Sequence, residues 1–121
     1  MDLKTTTRQS GEVTIVDATG RIALGEESAA LRDLMRDLVA KGDRKILLNL
    51  AGVEYIDSSG LGTLVSSVTT ARKQGADIKL VNLNDKVDDL MQVTRLYTVF
   101  DIADDEETAL KAFAQKSAAG A

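Results

Sequence analysis

Four consecutive residues, Asp57, Ser58, Ser59 and Gly60, have the side chains and spacing with which this chain could do chemistry. They follow a run typical of a buried strand and precede an apolar-periodic run typical of a helix. The serines are therefore predicted at a helix N-terminus, where free backbone N–H groups and the helix dipole favour an anion. A hydroxyl there can cap the helix, act as a nucleophile or accept a phosphate.

The nucleophile alternative requires an adjacent base, and the composition removes the usual one. The 121-residue chain contains no histidine and no cysteine, so neither a Ser-His-Asp triad nor a thiolate metal site can form. Ile56 and Gly60 flank Ser58 in a way that does not match the G-x-S-x-G pattern of hydrolases. We therefore expect no catalytic residue, no metal site and no cofactor, and predict that the protein is not an enzyme.

Capping and phosphorylation both remain open from the residues alone. A serine cap before an apolar helix is common and stabilises the helix by about 0.5–2 kcal/mol. A phosphate on Ser58 would instead gain bonds from the helix-terminal N–H groups while adding about −1.5 to −2 charges. In a docking face those charges would meet repulsion and desolvation, so a bound partner would be released. Such a switch needs no catalytic residue in the protein that carries it.

Composition and charge narrow the choice of partners. Hydrophobic residues make up 44% and charged residues 28%, which is ordinary for a globular domain. A net charge of −4 and the lack of any Lys/Arg run argue against nucleic-acid binding. The first residues show no signal-peptide pattern, and no window approaches the roughly 18 apolar residues of a membrane span. We therefore expect a cytoplasmic protein with no membrane insertion.

The elements that position the serine turn alternate between strand and helix patterns. Strands over Leu3–Gln9 and Glu12–Ala18 come first, followed by Gly20–Gly25 as a loop or short extended segment and by a helix capped by Ser28 and ended by Gly42. The later predicted elements are, in order, a strand from Lys45, a helix after Gly60 ending at Gln74–Gly75, a strand over Asp77–Leu83, a helix capped by Asn84, a strand over Tyr97–Ile102 and a helix from Asp104.

This order, β-β-α-β-α-β-α-β-α, predicts one α/β domain over residues 1–121. Alternating strands and helices favour a parallel sheet, and the initial hairpin makes it mixed. We expect a mostly parallel sheet of four to five strands with about four helices, a core over residues 3–115 and a frayed tail at 116–121.

From Glu12 to about Leu110 the chain closely resembles STAS-domain proteins, specifically the bacterial anti-anti-sigma factors, also called anti-sigma factor antagonists. The most specific element is a strand followed by D-S-S-G-L-G and a helix, at Asp57–Gly62. The spacing to K-Q-G at the end of that helix, and to V-x-x-L-x-x-x-T-x-L from Val87, also fits. The resemblance implies a single STAS domain.

The same resemblance implies a regulator that exchanges partners. An unphosphorylated family member binds an anti-sigma factor, a serine kinase of the GHKL ATPase type, and so frees the sigma factor. The kinase phosphorylates the hydroxyl residue after the motif aspartate, here Ser58, and a PP2C-type phosphatase restores binding. A weak homodimer is compatible with this scheme. The partner-binding residues that the resemblance implies are Asp57, Ser58, Ser59, Gly60, Leu61 and Gly62.

One segment departs from the family pattern. Many members carry an acidic pair, as G-E-[LI]-D, after the second strand, whereas Gly20-Arg21-Ile22-Ala23 has no acid at either position. Because that loop usually lies beside the phosphorylation site, we expect an altered partner contact or a different partner. Arg21 could reach a phosphate on Ser58 and is added to the partner-binding residues, although an ordinary surface arginine is the alternative.

The main rival function is a constitutive scaffold. A STAS subunit of a lipid-transport ATPase, or of a stressosome-like assembly, would have the same fold without being switched. Ser58 would then be only a cap or an interface residue. The sequence alone does not separate this function from the switch.

Overall fold

The alternating strand and helix patterns form one five-stranded sheet with helices on both faces. The computed structural model describes residues 3–22 and 26–120. Its strands are β1 (Lys4–Ser10), β2 (Val13–Ile22), β3 (Lys45–Ile56), β4 (Asp77–Val81) and β5 (Asp101–Ala103). Its α-helices are α1 (Glu26–Ala40), α2 (Ser58–Lys73), α3 (Asp85–Thr94) and α4 (Glu106–Gly120), with a 3-10 turn at Leu96–Thr98. The predicted mixed α/β sheet with four helices is confirmed for the described residues.

The strands lie in the order β1-β2-β3-β4-β5, so each strand pairs with the next one along the chain. β1 is antiparallel to β2, and the remaining pairs are parallel. Parallel strands joined by helices have right-handed connections. Because the strands advance in one direction, α1, α2 and α3 must lie on the same face, and α4 covers the opposite face.

Each face of the sheet has its own apolar core. The larger core lies beneath α1, α2 and α3 and includes Ile46 and Leu48 of β3. The smaller core lies beneath α4, where Phe113 packs near Ile15 and Leu47. Since successive side chains of a strand point to opposite faces, a strand between two cores must be apolar at nearly every position. This requirement explains the continuous run ILL at the start of β3.

Several predicted helix ends are confirmed. Gly42 follows α1 with φ +112°, and the N–H of Asp43 donates to the carbonyl of Leu38 at 3.0 Å, which is the pattern of a glycine stop. Gly75 ends α2 with φ +85°. Asn84 caps α3 by accepting a hydrogen bond from the N–H of Val87 at 2.8 Å.

Of the two alternatives predicted for Gly20–Gly25, a loop or a short extended segment, the extended one is confirmed for Gly20–Ile22. Gly20, Arg21 and Ile22 belong to β2, where they pair with residues of β3 across two register shifts. At each shift the regular one-to-one pairing of β2 with β3 is interrupted locally, and the pairing then resumes further along both strands. Ala23–Gly25 lie outside the described residues.

Two further element boundaries differ from the prediction. α1 begins at Glu26, so Ser28 lies inside the helix, where it is buried, and is not its N-cap. The strand predicted over Tyr97–Ile102 is a 3-10 turn followed by the short strand β5. Val99 and Phe100 close this turn through N–H bonds to Leu96, so those residues do not pair with β4.

A polar network joins β1, β2 and β3 to the start of α4. Nε of Arg8 donates to Asp17 at 2.7 Å, and Nη2 of the same side chain donates to Glu106 at 2.6 Å. Nδ2 of Asn49 donates to Asp17 at 2.8 Å. Hydrogen bonds to a carboxylate favour its charged form. The bond from Arg8 is therefore the main cause that holds the pKa of Asp17 below its ordinary value, and the bond from Asn49 adds to it.

We predict that Asp17 contributes to the acid dependence of folding. Because its pKa is lower in the folded chain, its contribution is present above about pH 4, its unfolded pKa, and is lost as the pH falls through the folded value. Asp17→Asn should lower the free energy of unfolding by about 1 kcal/mol at neutral pH and make its fall at acid pH shallower. Urea unfolding followed by circular dichroism from pH 7 to about pH 2 measures both effects.

Glu12→Gln is the matched control for this prediction. The carboxylate of Glu12 also pairs with a cation, Lys45 at 2.9 Å, but its side chain is 82% exposed. An exposed pair is largely screened by water, so the control should change stability less. Parallel acid-unfolding profiles for the wild type and Asp17→Asn would contradict the assignment.

Candidate functional site

The turn between β3 and α2 is held by the backbone and side chain of Asp57. Oδ1 of Asp57 accepts a hydrogen bond from the N–H of Gly60 at 2.7 Å, which makes Asp57 the N-cap of α2. Its own N–H donates to the carbonyl of Ile22 at 3.2 Å, and its carbonyl accepts from Leu61 at 2.9 Å. The turn is thereby tied to the end of β2 as well as to α2.

Neither serine caps the helix, so the predicted alternative of a serine cap is wrong. Ser58 and Ser59 are the first two residues of α2 and both are exposed. Within the part of the chain that the structure describes, neither residue makes a hydrogen bond through its hydroxyl or its N–H. Aspartate is itself a favoured N-cap, so the signal was present in the sequence one residue earlier.

The open end of α2 is suited to an anion. A helix begins with four N–H groups that have no partner within the helix. Here the first donates to Ile22 and the fourth to the carboxylate of Asp57, which leaves those of Ser58 and Ser59 without a partner among the described residues. These two donors and the helix dipole favour negative charge at the position that the Ser58 hydroxyl occupies.

Gly60 is required by a close approach between α2 and β2. A Cβ atom built on Gly60 would collide with the carbonyl oxygen of Ile22 and lie 2.7 Å from its carbonyl carbon. The neighbouring atoms belong mainly to the backbone of a central strand, so they cannot move aside cheaply. The glycine therefore sets the distance at which the serine turn lies above the end of β2.

The other two motif residues have different surroundings. Leu61 is buried in the larger core, so it anchors the first turn of α2 from below. Gly62 is exposed, and a Cβ atom there would meet nothing within 4 Å. Gly60 and Leu61 can thus influence a partner through the shape of the turn, whereas Ser58, Ser59 and Gly62 form its accessible surface.

Arg21 lies at the end of β2, directly before the residue that contacts the turn. Its guanidinium is placed over the ring of Tyr55, 5.1 Å from the ring centroid, and both side chains are exposed. Arg21 and Tyr55 are also paired residues of β2 and β3. Sequence analysis missed Tyr55, because the two register shifts that bring it opposite Arg21 leave no periodic signal. Ala23, the other changed position, lies outside the described residues.

The described geometry offers an accessible hydroxyl at an anion-favouring helix end, and an exposed cation–aromatic pair near the ends of β2 and β3. The STAS domain model matches residues 4–109 of this chain. The chain belongs to the STAS family. The anti-sigma-B factor antagonist of Bacillus subtilis is 31% identical over 104 residues, which cover 85% of this chain and 93% of that protein. This level of identity and coverage places the chain among the anti-sigma factor antagonists, which are regulatory proteins.

Solved structures agree with this membership. A Thermotoga maritima protein assigned to the anti-sigma factor antagonists superposes with a TM-score of 0.82 at 27% identity, covering 89% of this chain and 92% of its own. SpoIIAA has the same fold at lower identity. Its unphosphorylated form gives a TM-score of 0.69 at 14% identity over 93% of this chain and 98% of its own. Its phosphorylated form, from Bacillus, gives 0.68 at 17% over 91% and 99%.

Among the described residues of this STAS domain, no helix has the length and apolar character that would be needed to cross a membrane. Its longest helix, α2, begins at the site and carries serines and threonines along its surface.

The two motif glycines should respond in opposite ways to the same substitution. Gly60→Ala is expected to destabilise the fold by about 1–3 kcal/mol, because the new methyl group overpacks against Ile22. Gly62→Ala is expected to stabilise it by about 0.5–1 kcal/mol, because alanine has the better helix propensity and space is available. Thermal and urea unfolding of both variants measure the two changes in stability. Equal changes would contradict the close approach between Gly60 and Ile22.

Proposed function

We propose that this protein is a phosphorylation-controlled anti-sigma factor antagonist. In its unphosphorylated form it binds an anti-sigma factor, a serine kinase of the GHKL type, in the cytoplasm, and thereby frees a sigma factor. The kinase transfers the γ-phosphoryl group of ATP to the hydroxyl oxygen of Ser58, and ADP leaves. A PP2C-type phosphatase then hydrolyses the phosphoserine and restores binding.

The observation that carries the proposal is the state of Ser58. Its hydroxyl is exposed and makes no hydrogen bond within the described residues, so a kinase can reach it without breaking a structural contact. Asp57 supplies the cap, so modification of the serine does not cost the helix its N-terminal stabilisation. The existence of SpoIIAA in phosphorylated and unphosphorylated forms supports the same chemistry on this fold.

Phosphorylation would act through charge at a docking surface. The N–H groups of Ser58 and Ser59, which have no partner among the described residues, would stabilise a phosphate, so the modified turn would keep its shape. The partner, in contrast, meets about two additional negative charges beside the carboxylate of Asp57. Each 1.4 kcal/mol of repulsion or desolvation weakens binding about tenfold, so a modest penalty releases the partner.

Arg21 gives the proposed docking surface a cationic edge. A family member with acids at this position would present the opposite charge to its kinase. We infer that the partner of this protein carries an acidic or aromatic group opposite the Arg21–Tyr55 pair. This inference concerns the choice of partner and is separate from the phosphorylation of Ser58.

Phosphorylation should require Ser58 and tolerate loss of its neighbour. Incubation with the cognate kinase and ATP should label the wild type and Ser59→Ala but not Ser58→Ala, with the site mapped by mass spectrometry. Ser59 is the matched control because it too is exposed and makes no hydrogen bond with the part of the chain that the structure describes. Labelling of Ser58→Ala at the wild-type level would exclude the assignment.

Binding should separate the switch from the rival scaffold function. Ser58→Ala should bind the kinase with wild-type affinity, whereas Ser58→Asp should bind at least about tenfold more weakly, since it introduces charge at the interface. Isothermal titration calorimetry measures both. Equal affinities would favour a constitutive STAS scaffold, in a lipid-transport ATPase or a stressosome-like complex, and would count decisively against a switch at Ser58.

A further inference from the structure

A groove between α1 and α2 lies away from the serine turn. Its α1 side presents Arg32, Met35 and Arg36, and its α2 side includes Ser67 and Thr70. The groove is shallow and encloses a volume of about 60 Å³. Because a helix rises 1.5 Å per residue, Ser67 lies roughly 14 Å along α2 from its first residue. The groove is therefore not an extension of the Ser58 site.

Ser67 places a hydrogen-bonding group at the floor of this groove. The residue is 8% exposed, and its hydroxyl oxygen is shielded from solvent and has no hydrogen-bond partner among the described residues. Folded proteins leave few buried polar groups unpaired, because an unpaired hydroxyl loses its bonds to water without replacement. The neighbouring lining residues Met35 and Ala71 are apolar and cannot supply a partner. A ligand group that enters the groove can supply it.

Two arginines supply positive charge to the same groove. Arg32 and Arg36 are four residues apart, so they lie on one face of α1 and repel each other. Arg32 makes only a loose contact with Asp33, at 3.7 Å, and the side chain is 49% exposed. Within the described residues, Arg36 makes no ion pair and no side-chain hydrogen bond. Of the two arginines, Arg36 is therefore the one whose charge has no ion-pair partner among the described residues.

We propose that the α1–α2 groove binds an oxyanion, the phosphoryl or carboxylate group of a small ligand. Guanidinium groups present paired N–H donors that match the oxygen spacing of both groups. The hydroxyls of Ser67 and Thr70 add donors from the opposite wall. The apolar floor at Met35 and Ala71 accommodates a non-polar part of the same ligand. Nothing in this site depends on Ser58 or on the partner kinase.

Chemical-shift titrations of the full-length 15N-labelled chain test the proposal with two probes at constant ionic strength, inorganic phosphate and acetate. We expect saturable shifts of the Ser67 and Thr70 amides and of the Arg36 Nε–H. Saturation with phosphate alone identifies a phosphoryl site, and saturation with acetate alone identifies a carboxylate site. Arg36→Gln should weaken binding about tenfold, since it removes a charge-assisted hydrogen bond.

Two further variants make the result decisive. Arg95→Gln removes the same charge from an exposed arginine outside the groove, and should leave the affinity within about twofold. Ser67→Ala removes the buried hydroxyl and should weaken binding several-fold while the amide spectrum remains that of the folded chain. Shifts that never saturate, or that fall equally in Arg36→Gln and Arg95→Gln, indicate an adventitious ion only and overturn the proposal. Unchanged affinity in Ser67→Ala also overturns it.

Discussion

The contact between the start of α2 and the end of β2 is the constraint on which the site depends. Gly60 packs against the carbonyl group of Ile22, and the N–H of Asp57 donates to the same carbonyl oxygen. Both contacts involve backbone atoms, so they locate the helix relative to the sheet independently of any long side chain. The exposed position of Ser58 follows from this arrangement, because the contacts with Ile22 prevent the turn from lying closer to the sheet.

The topology then determines what surrounds the turn. Parallel strands that advance in one direction have their carboxyl ends at one edge, where the turns before α2 and α3 lie. Asn84 belongs to this edge as well, since it caps α3 and donates to the carbonyl of Val53 at 2.7 Å. A family that regulates other proteins by docking can therefore vary the loops at this edge while the sheet beneath them stays the same.

Much of the architecture was predictable because its signals are local. The continuous apolar run of β3, the periodic apolar positions of α2 and the stops at Gly42 and Gly75 each depend on neighbouring residues. Two outcomes depend on hydrogen bonds that form only in the folded chain. Gly20–Ile22, predicted as a loop or a short extended segment, form a strand because β3 pairs with them across register shifts, and Val99 and Phe100 turn because the carbonyl of Leu96 accepts their N–H bonds. No periodic pattern encodes either event.

The sequence by itself determined the class of the fold, the location of the serine turn at a helix start and the lack of the usual catalytic bases, since composition and periodicity are properties of the chain. Only the tertiary structure decided which residue caps α2, which serine groups stay free and why Gly60 rather than Gly62 must be a glycine. It also brought Arg21 over Tyr55 and Arg36 near Ser67. These relations depend on distances between segments that are remote in sequence, and such distances exist only after the helices have packed on the sheet.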